Sequence, residues 1–182
     1  MRALLMDLRM IEVMKVSVVA VLFAICGSWS SSLSADRGWK AALIGVPFAF
    51  LCMFLLVRSW KAVLVVPAIA FVWPIARFFA TWFAMKTGCV YLTMGLAGLV
   101  GASCVALAIS IAHRRLHLPS RLAGAAATGF LAALPFGLWL VSYKLRINSV
   151  PDPLQPIRLR YAFGIWQTAV GTYVYLVSEG VL

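Results

Sequence analysis

Six apolar runs, each 17 to 25 residues long and divided by small groups of lysine and arginine, dominate the sequence. They lie at about 13–33, 41–57, 62–85, 88–112, 122–143 and 161–182. An α-helix rises about 1.5 Å per residue, so a run of about 20 residues matches the roughly 30 Å hydrocarbon layer of a bilayer. A soluble globule of 182 residues cannot conceal so much apolar surface, because about 30% of its unfolded surface stays wet. Hydrophobic residues make up 64% of the chain and charged residues 12%; soluble domains carry roughly 45–50% and 25%. The runs do not alternate apolar with polar residues, as the roughly ten-residue strands of a membrane barrel must. A helix also satisfies its own backbone hydrogen bonds in hydrocarbon. The expected fold is therefore all-α: a polytopic membrane protein, one membrane-embedded domain over 1–182, built as a bundle of about six transmembrane helices.

The charge is one-sided, with 16 Lys+Arg against 5 Asp+Glu and a net charge of +11. These cations form no single patch. They sit in twos to fours between the runs, where they meet anionic lipid headgroups, so the bilayer is the expected partner and nucleic acid is not. The tally of cations on the two sides of a six-span chain is eight against seven or eight, which leaves orientation undecided. Such a balance also permits dual topology or an inverted repeat, for which Pro47-Phe48 and Pro135-Phe136 in the second segment of each half are weak support. Trp29, Trp39, Trp60, Tyr143 and Tyr161 fall near run ends, as an interfacial aromatic belt would. Residues 1–15 read as a poor amphipathic helix at the interface. Ser32-Leu33-Ser34 offers small residues at cleavage spacing, but the long leading region carries two acids and favours an uncleaved first span. The link 58–61 is so short that segments two and three must form an antiparallel hairpin. The loop 144–160 holds three prolines and reads as extended. A cytoplasmic (inner) membrane is the expected location.

Small residues recur at every fourth position in two adjoining runs: Gly98, Ala102, Ala106 and Ser110 in segment four, Ala125, Gly129, Ala133 and Gly137 in segment five. Such rows lie along one helix face and let two backbones approach, which drives helix association where hydrophobicity cannot. The nine-residue link between the runs predicts that the rows face each other.

Arg77 is the candidate for polar chemistry. It lies nine residues before Lys86, about 13 Å along a helix, and a charge at such depth costs at least about 2.5–3.5 kcal/mol. The small, mildly polar neighbours Ala70, Trp73, Pro74, Ala80, Thr81 and Ala84 suggest that it points inward. The alternative ends the span near Ile75 and leaves Arg77 among the headgroups. Segment six carries a row of Thr168, Thr172, Tyr175 and Glu179, with Gln167 beside it. Arg77, Gln167, Thr168 and Thr172 fall at similar depth and form a candidate binding site for a small anion or a lipid phosphate.

No metal site and no cofactor is expected. His113 and His117 are four apart but flank Arg114 and Arg115 and lack a carboxylate. Cys26, Cys52, Cys89 and Cys104 make no CxxC and read as small apolar fillers. No catalytic motif is present and no acid sits mid-span, which argues against an enzyme and weakens a proton- or sodium-coupled carrier. The expected role is an accessory or assembly subunit of a larger membrane complex, partnered by another membrane protein or by further copies of itself. The alternative is a small transporter, channel or export component using Arg77. A membrane enzyme acting on a lipid-linked substrate comes third. Six crossings require both termini on one side, so reporters at residues 3 and 182 should give the same sidedness; opposite sides would mean that one run does not cross or is cleaved.

Overall fold

The computed structural model describes residues 2–30, 43, 45–57, 60–112, 116, 118–146 and 155–182, and no strand occurs among them. The helices are α1 (Arg2–Ser30), α2 (Val46–Cys52, continued by a π-helical turn Met53–Val57), α3 (Ala62–Ala70), α4 (Val72–Thr87), α5 (Val90–Ser110), α6 (Pro119–Arg146) and α7 (Gln155–Glu179). The fold is an all-α bundle. Among the described residues, Met10–Ser30, Val63–Thr87 and Leu92–Ser110 are long and apolar enough to cross a membrane.

Several boundaries differ from the sequence expectation, each for a local reason. No glycine or proline interrupts residues 2–26, so the expected interfacial helix and the first span merge into one 29-residue helix. Residues 31–33 of that span lie outside the described residues. Segment two is not a full span over its described part. Pro47 sits in the first turn of α2, where its missing N–H costs nothing, and Val46–Val57 is about 18 Å long against the roughly 30 Å layer. Segment three is two helices joined at Phe71. Pro74 lacks the N–H that the Ala70 carbonyl would otherwise accept, and the helix breaks there. The extended loop 144–160 is shorter than expected, since α6 runs to Arg146 and α7 starts at Gln155; residues 147–154 lie outside the described part.

A two-residue link joins α4 to α5. Gly88 closes α4 in the left-handed conformation at φ 71°, with its N–H bonded to the Ala84 carbonyl at 2.9 Å. Space is no constraint there, because nothing lies within 4 Å of a Cβ added at Gly88; the dihedral alone favours glycine. The Thr87 hydroxyl donates to Phe83 O at 2.8 Å and accepts from the Cys89 N–H at 3.2 Å. So tight a link makes α4 and α5 antiparallel neighbours.

The closest crossing joins α5 to α6. A Cβ added at Gly98 would strike the Gly129 carbonyl and the Ala133 Cβ, and one added at Gly129 would strike the Gly98 carbonyl and the Ala102 Cβ. Ala102, Ala106, Ser110, Ala125 and Ala133 are buried, as are both glycines and Gly137. On the other side α1 lies antiparallel to α7. The Phe23 ring fills the notch at Gly171, and Gly27 sits against Phe163 and Gly164. The early part of α1 therefore lies beside the late part of α7, and both chain ends are at the same end of the bundle. Lys61 Nζ donates to Ile111 O at 3.0 Å, placing the start of α3 and the end of α5 at that end too. Tyr173 joins α7 to α6 by donating to Arg121 O at 3.0 Å. The core between these pairs is aliphatic and aromatic: Phe23, Phe48, Val65, Ile69, Val105, Ile109, Val170, Val174 and Val177.

Replacing Gly129 or Ala102 by Leu should force α5 and α6 apart and lower stability by about 1–3 kcal/mol. The readout is thermal unfolding in detergent. Leu131, 65% exposed on the same helix, provides the control; its replacement by Ala should change stability by less than about 0.5 kcal/mol.

Candidate functional site

The four residues of the expected binding site are not gathered in one place. Arg77 lies on the exposed side of α4. The inward reading of this residue is corrected by how α4 packs: Val72, Ala76 and Ala80 are its buried face, and Ala76 and Ala80 cluster with Ala97 of α5. Alanines let the two backbones approach, which leaves no room for a guanidinium between them. Thr81 is turned away as well, donating to the Arg77 carbonyl at 2.9 Å.

On α7 the buried face is Phe163, Gln167, Val170, Val174 and Val177. The row Thr168, Thr172, Tyr175 and Glu179 runs along its flank, partly buried, with Glu179 exposed. Thr168 donates to its own helix at Gly164 O, 2.7 Å away, and the buried Thr172 hydroxyl has no hydrogen-bond partner in the protein. His113 and His117 lie outside the described residues. Among the described residues no group of three His, Cys, Asp or Glu side chains could hold a metal.

The buried polar group is Gln167, 3% exposed. Its Nε2 donates to the Ser30 hydroxyl at 3.5 Å, and Ser30 in turn donates to Cys26 O at 2.8 Å. Because the Ser30 proton is committed to Cys26, only the NH2 end of the amide suits Ser30. The Gln167 Oε1 is buried and has no partner in the protein.

Gln167 borders a half-open cavity of about 60 Å³ lined by residues of α3 to α7 and the start of α2. Its wall is aromatic and glycine-smooth: Phe48, Trp73, Phe136, Phe163 and Trp166 surround Gly98 and Gly101. Trp166 donates to the Gly98 carbonyl at 3.3 Å, and a Cβ on Gly101 would lie 3.0 Å from its ring. The missing side chains on α5 are what let this indole bring its N–H edge up to the backbone. Trp73 packs edge-on against Phe163 with centroids 4.4 Å apart, and its indole N–H is buried without a partner. Gln167 is the middle residue of α7, and Trp73 and Gly101 are within a turn of the middle of α3–α4 and α5. The cavity is thus at mid-depth in the bundle.

Sequence reasoning chose Gln167 for a different set of partners and passed over Trp73 and Trp166. The available signal was position: a tryptophan in the middle of an apolar run is away from the interface that this residue favours. Comparison with known proteins returns no match to a family model, to a curated protein or to a solved structure.

Gly45 joins α2 to this region. A Cβ there would lie 2.6 Å from the Ala70 carbonyl oxygen, at the break between α3 and α4. Gly45→Ala should push α2 off that joint and lower the unfolding temperature in detergent. An unchanged temperature would mean that α2 is not anchored at this point.

Proposed function

We propose that the protein is a multi-pass membrane subunit that acts by packing, as an accessory or assembly component of a larger membrane complex. The observation supporting this reading is the character of its interior. The buried polar residues among those described are Ser30, Ser110 and Gln167, all uncharged. Lys15, Arg77, Lys86, Glu12 and Glu179 are exposed, and Lys61 and Arg121 are only half-buried. Ion-coupled transport needs an ionisable group inside the membrane that faces the bundle interior, and the buried core of the described bundle is built from rings, aliphatic chains and small residues. In this reading the partners are the bilayer and another membrane protein or a second copy, and the location is a cytoplasmic membrane. Arg77 on the outer side of α4 suits a lipid phosphate at the bundle surface better than an anion held inside it.

The test compares native assembly with autonomous transport. Membranes solubilised in mild detergent should give a native-electrophoresis band well above the 19.9 kDa chain. The purified chain in proteoliposomes should conduct no ions or small anions. A lone-chain band together with a flux lost in Arg77→Gln would overturn the proposal in favour of a carrier.

A further inference from the structure

Arg77 is set apart by its level in the bundle. Ala76 and Ala80, on either side of it in the chain, pack with Ala97 of α5, and Trp166 of α7 donates to the carbonyl of the next residue, Gly98. Arg77 therefore stands level with Gly98 and Trp166. That level is within one turn of the middle of Val63–Thr87, of Leu92–Ser110 and of α7. Yet the residue is on the exposed side of the bundle. A cation at mid-span belongs in the bundle interior or beside an opposite charge, because hydrocarbon offers it neither. Among the described residues no carboxylate shares this level. Glu179 is twelve residues along α7 from Gln167, about 18 Å. Glu12 is fifteen residues along α1 from Gly27, about 22 Å, and Gly27 is the residue that packs beside Phe163 and Gly164.

We infer that the outer face of α4, centred on Arg77, docks a membrane-spanning helix of a different protein that carries a carboxylate at mid-depth. The inference rests on the assembly reading above and names the partner's chemistry. A lipid phosphate lies outside the hydrocarbon layer, about 15 Å from its middle. Snorkelling serves cations near helix ends, and Arg77 is near neither end of its span. Its Cα–Cβ bond also tilts toward the start of the helix, away from the nearer end at Thr87. A second copy on the same face fits no better. Twofold symmetry would set Arg77 against Arg77, whether the axis runs along the membrane normal or in its plane, because the residue is at mid-depth. A carboxylate on another chain's helix can sit at this level and accept both arms of the guanidinium, in a medium where opposite charges attract strongly. The rest of the face suits a helix. Ile75, Phe78, Phe79, Trp82 and Met85 are exposed on it, and the rings of Phe79 and Trp82 pack together with centroids 5.8 Å apart. Rings held in this way have little rotamer freedom left to lose on docking.

The test uses the full chain in phosphatidylcholine nanodiscs and synthetic leucine-rich peptides long enough to span them. One peptide has Glu at its centre, a second has Gln there and a third has Leu, and each carries a photoreactive diazirine residue one turn away. The Glu peptide should label α4 saturably, and the Gln and Leu peptides should need about tenfold more peptide for the same labelling. Arg77→Gln should abolish the preference for Glu. In Arg77→Glu a peptide with Lys at its centre should take over as the preferred one, and this reversed pair keeps the test decisive if Arg77→Gln does not fold. Thermal unfolding shows which variants are folded. Equal labelling of α4 by the three peptides overturns the inference and leaves Arg77 to the lipid. Preferential labelling on any helix other than α4 overturns it too, as does a folded Arg77→Gln that keeps the preference for Glu. These outcomes leave the native-electrophoresis band as it is, whereas a lone-chain band removes the assembly reading whatever the peptides show, so the two failures are told apart.

Discussion

The approach of Gly98 to Gly129 is the contact on which the rest of the bundle depends. Between apolar helices in lipid there is little hydrophobic gain from association, since lipid tails are as apolar as leucine. What remains is dispersion between closely packed backbones, and that falls off within an ångström. The carbonyl of each glycine occupies the place where the other's side chain would begin. This crossing fixes the spacing of α5 and α6. It also presents the Gly98 carbonyl to Trp166 and so gives α7 its position on α5. Phe48 then seats on both Trp166 and Phe23, with centroids 6.0 and 5.4 Å apart, and ties α2 to α7 and α1.

Small residues serve two kinds of contact in the molecule. Between α5 and α6, backbone meets backbone. Between α1 and α7 both kinds of contact occur: Gly27 meets the backbone of Phe163 and Gly164, while Phe23 lies over Gly171 with ring carbons 2.6 Å from where a Cβ would be. Gly124 and Tyr173 repeat that arrangement between α6 and α7. Aromatic rings thus fill the space over one glycine, and at other glycines two backbones touch directly.

The class of fold was legible because a bilayer imposes one length on anything that crosses it, and runs of about 20 residues are visible in any sequence. The rows ending at Ser110 and Gly137 were legible because the fourfold spacing of small residues has few other uses. Direction was less legible. Arg77 has small neighbours on one helical face, but the face that packs is the next one round, set by Ala76 and Ala80 against Ala97. That choice is made by α5, which a wheel of one helix does not contain. Gln167 was visible as a polar residue in an apolar run, yet its orientation is set by Ser30, 137 positions away in the chain. The described part of α2 is also shorter than the apolar run it belongs to, whose residues 41, 42 and 44 lie outside the described residues.

That shortness has a consequence for the membrane itself. The α2 helix rises about 18 Å, while α3 and α4 together rise about 39 Å over 26 residues. Phe50 and Phe54 on α2 are 46% and 69% exposed, so the described part of this side is apolar over about 18 Å. A bilayer that meets an apolar rim of unequal height thins locally to match the shorter side, at a cost of fractions of a kcal/mol per ångström. Lipid tails around the molecule would then be unequally stretched, and the protein would carry a dimple on one flank. Two such dimples cost less when shared, so elastic relief of the bilayer can bring proteins together even where no side chains meet.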